Sequence, residues 1–433
     1  MNIGVLGLWH LGSVTAACLA AQGHRVVGLD FDEARVANLR EGIAPIFEPG
    51  LEELISRGLY SGNLRFSSAA SDAKDLDVLW VTYDTPVDDD DNADADFVMA
   101  RIGQVLPQMR TETLVLVSSQ LPVGSVRRLE QIAALNCGVR QLRVAYCPEN
   151  LRLGNAVNDF LHPSRIVVGV RSNQDKELLH GLLSSITESL EWMSVESAEM
   201  TKHAINAFFA TSIAFANEIA SICESVGADA KEVERGLKTE SRIGPRAYLS
   251  PGAAFAGGTL ARDVALLDRT ARVHGMLTPL LSSVLPSNDA HKLWVRRKLR
   301  AHFADLSQAT VAVWGLTYKP GTDTLRRSMS VELCDWMIRE GAKVHVHDPM
   351  VKKLPADWCD AVERYDDPVA AVQGADALVV ATEWPVYRGI SAEQLLQGSS
   401  HLLVLDANRF LINLAPTEGR LSYFAVGMPS TEP

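Results

Sequence analysis

Near the start of the chain, Gly7, Trp9, His10, Leu11 and Gly12 fill a tight turn between the apolar run Ile3–Leu6 and a helical pattern. A second apolar run, Arg25–Leu29, then ends on Asp30. Strand, turn, helix, strand and acid in this order form a dinucleotide fingerprint, with Gly7 at the turn and Gly12 where helix meets sheet. A pyrophosphate would sit on the helix N-terminus, where free N–H groups and the helix dipole favour an anion. A carboxylate at Asp30 can accept from both ribose hydroxyls and repels a 2'-phosphate, which favours NAD over NADP. The fingerprint's middle glycine is absent, and Trp9 stands in its place. The turn is therefore either a working NAD site with Trp9 pointing away, or a Rossmann turn whose dinucleotide has been altered or lost. A second pair of interest is Lys202 and Asn206, four residues apart in a long helical pattern, so that both project from one face. A lysine near cationic or apolar neighbours can lose its proton near neutral pH and serve as a base.

The elements that would position these groups can be read from hydrophobic periodicity. Ile3–Leu6, Arg25–Leu29, Val78–Thr82, Leu114–Ser118 and Arg143–Tyr146 are strand candidates separated by helical patterns, which implies βαβ units and a parallel sheet. From Glu196 to about Gly227 apolar residues recur at helical spacing through roughly 28 residues, long enough to bridge two domains. A Gly/Pro-rich loop, RIGPRAYLSPGAAFAGGT, follows, and a second α/β region opens at Thr310 with VAVWGLTYK. The expected fold is α/β, with two Rossmann-like doubly wound parallel-sheet domains joined by a central helical domain. The expected boundaries are 1–195, 196–300 and 301–433.

Composition narrows the classes. The chain has 433 residues, 47% hydrophobic and 22% charged, with a formal charge of −12, so a nucleic-acid partner is not expected. Local Lys and Arg can still bind a phosphate on an acidic protein. MNIGVLGLWHLG lacks the basic region of a signal peptide, and no run of about 18 apolar residues is free of charges, so no membrane span is expected. Six scattered cysteines (Cys18, Cys137, Cys147, Cys223, Cys334, Cys359) show no metal-ligand spacing and suit reduced thiols in a cytoplasm. The acidic run Asp88–Asp96 reads as a solvated loop, and no metal is expected.

Many further segments match one family in order. IAPIFEPGLEEL resembles P-I-x-E-P-G-L, the DTP at Asp84–Pro86 resembles G-T-P, and LPVGS at Leu121–Ser125 resembles V-P-V-G-T. CPENLRLGNA at Cys147–Ala156 resembles P-E-F-L-R-E-G-x-A, and AEMTKHAINAFFATSIAFANE resembles the family's central helix. RIGPRAYLSPGAAFAGGTLARD resembles R-I-G-x-x-Y-x-x-P-G-x-G-F-G-G-S-C-x-x-K-D, with one extra residue before the tyrosine. GLTYKPGTDTLRRS, HDP, TEWPVYR and DANR complete the pattern in the last third. On these segments the chain resembles the UDP-glucose/GDP-mannose dehydrogenase family almost from end to end.

The resemblance implies NAD-dependent oxidation of a nucleotide-sugar alcohol by a homodimer. In the family a cysteine captures the intermediate aldehyde, so that two oxidations yield a carboxylate; here that position is Thr259, whose hydroxyl is a far poorer nucleophile. Two further positions depart from the pattern: Leu153 stands for a glutamate and Gln120 for a threonine. The resemblance implies that Lys202 and Asn206 act on the reacting oxygen, with Glu149 and Asp263 ordering water nearby. It places Gly7, Trp9, His10, Leu11, Gly12, Asp30, Thr85, Pro86 and Gln120 at the cofactor. Toward the sugar nucleotide it places Leu151, Arg152, Arg242, Tyr248, Phe255, Gly257, Thr259, Lys319, Arg326 and Arg409, with Arg242 reaching the neighbouring subunit's site. The set suffices for a single two-electron oxidation; full conversion to a uronic acid and non-catalytic binding of a nucleotide-sugar remain the alternatives. Cys147 next to Glu149 is read as a structural thiol.

Overall fold

The computed structural model describes all residues except 89–92, 137–141, 150, 257, 398–400, 415–418 and 430–433. Gly257, Cys137 and the middle of the acidic run thus lie outside the described residues, as does the Cys359 side chain. The chain divides into two compact units, Met1–Ala204 and Ile205–Pro433.

The first unit is built on an eight-stranded sheet. Its strands are β1 (Asn2–Leu6), β2 (Arg25–Leu29), β3 (Leu64–Ser67), β4 (Val78–Val81), β5 (Leu114–Val117), β6 (Arg143–Tyr146), β7 (Ile166–Gly169) and β8 (Leu190–Met193), in spatial order β3-β2-β1-β4-β5-β6-β7-β8. Strands β1 to β6 pair in parallel; β7 meets β6 antiparallel through Tyr146 and Gly169, and β8 runs parallel to β7. Every residue of β4 and β5 is buried, as continuous apolar runs require when helices cover both faces. The five strands expected from the sequence are all present. β3, β7 and β8 were not expected: β3 and β8 mix apolar with polar side chains at the two sheet edges, and β7 is a short apolar run that breaks the parallel order of the preceding strands.

The second unit carries a six-stranded, wholly parallel sheet of β9 (Thr310–Trp314), β10 (Lys343–His347), β11 (Val362–Arg364), β12 (Ala377–Val380), β13 (Leu402–Asp406) and β14 (Leu421–Phe424). Its order, β11-β10-β9-β12-β13-β14, repeats the doubly wound plan of the first six strands. The central helix, Val195–Val226, is 32 residues long and belongs to both units, divided after Ala204. By length and composition it could cross a membrane. The buried Glu199, Lys202, His203, Asn206 and Asn217 mark it instead as a core helix, since buried polar groups must find partners.

Candidate active site

The nucleotide turn is built by close packing. Gly7 has φ of +97°, and a Cβ on it would lie 2.7 Å from the Tyr83 ring. A Cβ on Gly12 would lie 1.7 Å from the Gly7 carbonyl, so only glycine lets the helix His10–Ala21 sit against β1. Trp9 precedes that helix and gives it no side-chain cap, leaving the first-turn N–H groups to an outside acceptor. Asp30 is buried and accepts from the Leu8 N–H at 2.7 Å, the Asp32 N–H at 3.1 Å and the Arg35 guanidinium at 2.8 Å. The Trp9 ring, 41% exposed, is turned onto Arg35, whose guanidinium carbon lies 5.3 Å from the ring centre. At the ends of β4 and β5 the hydroxyls of Tyr83 and Ser119 are buried without a hydrogen-bond partner among the described residues. An uncapped helix start, a glycine cradle, a strand-end carboxylate and orphaned hydroxyls fit a dinucleotide. The next two loops are tied together, because the Thr85 hydroxyl donates to the Gln120 carbonyl at 2.8 Å.

A buried carboxylate organises the neighbouring loop. Glu48 accepts from the Gly154 and Ala156 N–H groups, both at 2.8 Å, and from the His10 ring at 2.8 Å. Glu149 accepts from the Leu151 N–H at 2.7 Å, and the exposed Arg152 is held by Asp159 in a two-pronged pair. Burial pushes the Cys147 thiol up to about 12, so it stays protonated and is no nucleophile.

The central helix presents four polar groups at i, i+3, i+4 and i+7. Glu199, whose carboxyl is raised by burial, accepts from the Gly124 and Val126 N–H groups at 2.7 and 3.0 Å. The His203 ring donates to the Leu121 carbonyl at 2.9 Å. Together they clamp the Leu121–Val126 loop. The Lys202 ammonium donates to the Glu149 carbonyl at 2.7 Å, and the Asn206 amide donates to Asp263. Asp263 is fully buried on the helix Thr259–Val273, one turn after Thr259 at its start.

In the second unit, the segment Gly252–Phe255 has its peptide groups taken by side chains. The Gly252 N–H donates to Asn217 at 3.0 Å, the Ala253 N–H to Asn408 at 2.6 Å and the Phe255 N–H to Asn288 at 2.9 Å. The His291 ring donates to the Gly252 carbonyl at 2.8 Å, and burial lowers its pKa, keeping it neutral. The Phe255 ring is buried among Ala207, Ala210, Ala214 and Val264, whereas Tyr248 is exposed and leans on Phe209. The cations are dispersed in their partners. Arg242 is exposed beside Glu240; Arg409, with φ of +56°, is held by Asp229 at 2.8 and 3.0 Å. Lys319 and Arg326 both lie in the loop after β9, with Lys319 half-buried and its ammonium 5.6 Å from the Tyr318 ring centre.

Sequence reasoning missed Glu48, Tyr83, Glu199, His203, Asn217, Asn288 and His291. Glu199 and His203 were legible as part of one polar stripe on an apolar helix. Glu48, Asn217, Asn288 and His291 act on backbone groups distant in sequence and leave no spacing signal, and neither does the Tyr83 hydroxyl, which has no partner among the described residues.

Three family models cover the chain in order. Residues 1–187 match the NAD-binding domain of the UDP-glucose/GDP-mannose dehydrogenase family, 196–290 its central domain and 312–413 its UDP-binding domain. A UDP-glucose 6-dehydrogenase of Pseudomonas aeruginosa is 35% identical over 99% of this chain and 98% of its own length. A UDP-glucose 6-dehydrogenase of Rhizobium meliloti is 32% identical over 99% of this chain and its full length. Among solved structures, a UDP-glucose dehydrogenase from Pyrobaculum islandicum superimposes with a TM-score of 0.85 at 30% identity, covering 99% of this chain and 98% of that one. A UDP-D-ManNAc dehydrogenase from Pyrococcus horikoshii gives 0.84 at 25% identity, covering 99% of each chain.

Proposed function

The chain belongs to the UDP-glucose/GDP-mannose dehydrogenase family, and from that premise we propose that it oxidises the alcohol of a nucleotide-sugar by one two-electron step. NAD, the cofactor of the family's N-terminal domain, supplies the acceptor for the hydride that leaves the hydroxyl-bearing carbon. In its amine form Lys202 takes the hydroxyl proton, and the C–O bond becomes a carbonyl. Asn206, its amide oriented by Asp263, holds the same oxygen from one helical turn away. Glu149 places Lys202 through its carbonyl and closes its own loop through its carboxylate.

The observation that carries this reading is the pair of anchored groups, Lys202 and Asn206, with a threonine where the family pattern has the thiol. Without a thiolate at Thr259 the aldehyde is not captured as a thiohemiacetal, and Leu153 offers no carboxylate to direct water. The substrate panel begins with UDP-glucose, which the names of the Pseudomonas, Rhizobium and Pyrobaculum relatives carry, and extends to other nucleotide-sugars. Purified protein with NAD and this panel should generate NADH with at least one member; none with any member would sink the reading.

The same proposal includes a homodimer. Phe208, Phe215 and Ile222 are exposed at seven-residue intervals on the central helix, an apolar stripe that a second copy of the chain would cover. Phe215→Glu should then convert a dimer to a monomer in light scattering; an unchanged mass would reject this face as the interface. Residence in the cytoplasm is proposed on the free thiols of Cys18, Cys147, Cys223 and Cys334.

A further inference from the structure

Tyr83 lies two residues past β4, beyond the carboxyl end of the strand that neighbours β1. Ligands of doubly wound sheets bind outside those strand ends, so the position faces cofactor chemistry. Its ring is fixed on two sides: it backs onto Gly7, and it meets Phe97 edge-on with ring centres 5.6 Å apart. Arg101 lies over Phe97 at 5.0 Å and over Phe31 at 5.6 Å, while Arg35 lies over Trp9 and pairs with Asp30. Aromatic rings and two guanidinium groups thus form a collar at this strand end, with Arg35 paired to the Asp30 carboxylate.

Within this collar the Tyr83 side chain is 7% exposed, and its hydroxyl has no partner among the described residues. If the ring were needed only for packing, phenylalanine would pack equally without leaving a buried hydroxyl unpaired. Burial, reinforced by the nearby Asp30 charge, raises the phenol pKa, so the group remains an O–H donor throughout the working pH range. The acceptors that a dinucleotide brings are ribose and phosphate oxygens.

We propose that the Tyr83 hydroxyl is a further cofactor-binding group, donating a hydrogen bond to an oxygen of the bound dinucleotide. The inference rests on the NAD-binding role of the first unit and assigns to it a residue outside the glycine fingerprint. It gives the position an unusual signature, because the hydroxyl is useful only in the complex. Tyr83→Phe should weaken NADH binding about fivefold, the size of one lost neutral hydrogen bond. The free variant should melt no lower than the wild type, so the gain in melting temperature on adding NADH becomes smaller.

Calorimetric titration of NADH into wild type and Tyr83→Phe, with melting curves of both proteins free and loaded, tests this. Wild-type protein that fails to bind NADH would overturn the cofactor reading itself. Wild-type binding matched within twofold by Tyr83→Phe would overturn only the role of the hydroxyl. A free variant that melts clearly below wild type would also overturn it, since the hydroxyl would then have a structural partner.

Discussion

After β1 the chain turns at Gly7, whose N–H donates to the Leu29 carbonyl, and the Leu8 N–H then donates to Asp30 at 2.7 Å. After β9 it turns at Gly315, whose N–H donates to the His347 carbonyl, and the Leu316 N–H donates to Asp348 at 2.8 Å. Both glycines have positive φ, and both aspartates are buried at the end of the second strand of their sheets. From there the two turns diverge. Asp348 also accepts from the N–H groups of Thr317, Met350 and Val351 and from the Trp384 indole, which fills its lone pairs. The helix Met329–Arg339 that follows is capped by Ser328, whose hydroxyl also donates to the Leu316 carbonyl. The first turn is left open, with an uncapped helix packed directly on it through Gly12. The same fold thus holds one glycine turn open and the other closed by side chains, and the loop after the closed turn carries Lys319 and Arg326.

The largest contrast expected lies between Lys202 and Arg326. Lys202→Ala should lower kcat by about 10³-fold if it is the base proposed above. Arg326→Ala should instead raise KM for the nucleotide-sugar about tenfold, with kcat retained. Steady-state kinetics would break the comparison if the two variants lost the same parameter.

The next contrast is between the aspartates. Asp348→Ala leaves several buried N–H donors unpaired and should cost about 3–5 kcal/mol of stability, read from denaturant unfolding. Asp30→Ala should cost less stability and show its main effect as weaker NADH binding in a titration. Equal losses of stability without a binding defect would mean that both turns are structural.

The smallest effect belongs to the first unit alone. Hydrogen bonding from Arg171 draws the Glu196 carboxyl down from 4.5 to about 2. A carboxyl depressed on folding contributes stability above its unfolded value near 4.5, and that contribution is lost as pH falls through about 2. Glu196→Gln should therefore melt a degree or two below wild type at pH 7, with the difference closing between pH 4.5 and 2. A difference that persisted at pH 2 would contradict the assignment.

The glycine turn, Asp30, the central helix and the main strands were legible because each leaves a periodicity or fixed spacing in the sequence. The edge strands β3 and β8 were not, since polar residues interrupt their short runs and leave no clear period. At the site, the types of group were legible but their engagements were not. Arg409 pairs with Asp229, far away in the chain, and Glu48 reaches backbone N–H groups at Gly154 and Ala156. No spacing rule connects such partners, because the fold alone brings them together. Trp9 shows the converse. The sequence marked it as the break in the fingerprint, and only the structure shows its ring on Arg35.

Whether a threonine at position 259 confines the chain to one oxidation is decided by counting NADH against product with the substrate that turns over. The single-step account predicts one NADH per sugar and a product lighter by two hydrogens in mass spectrometry. Two NADH per sugar, with a product carrying a carboxylate, would contradict it.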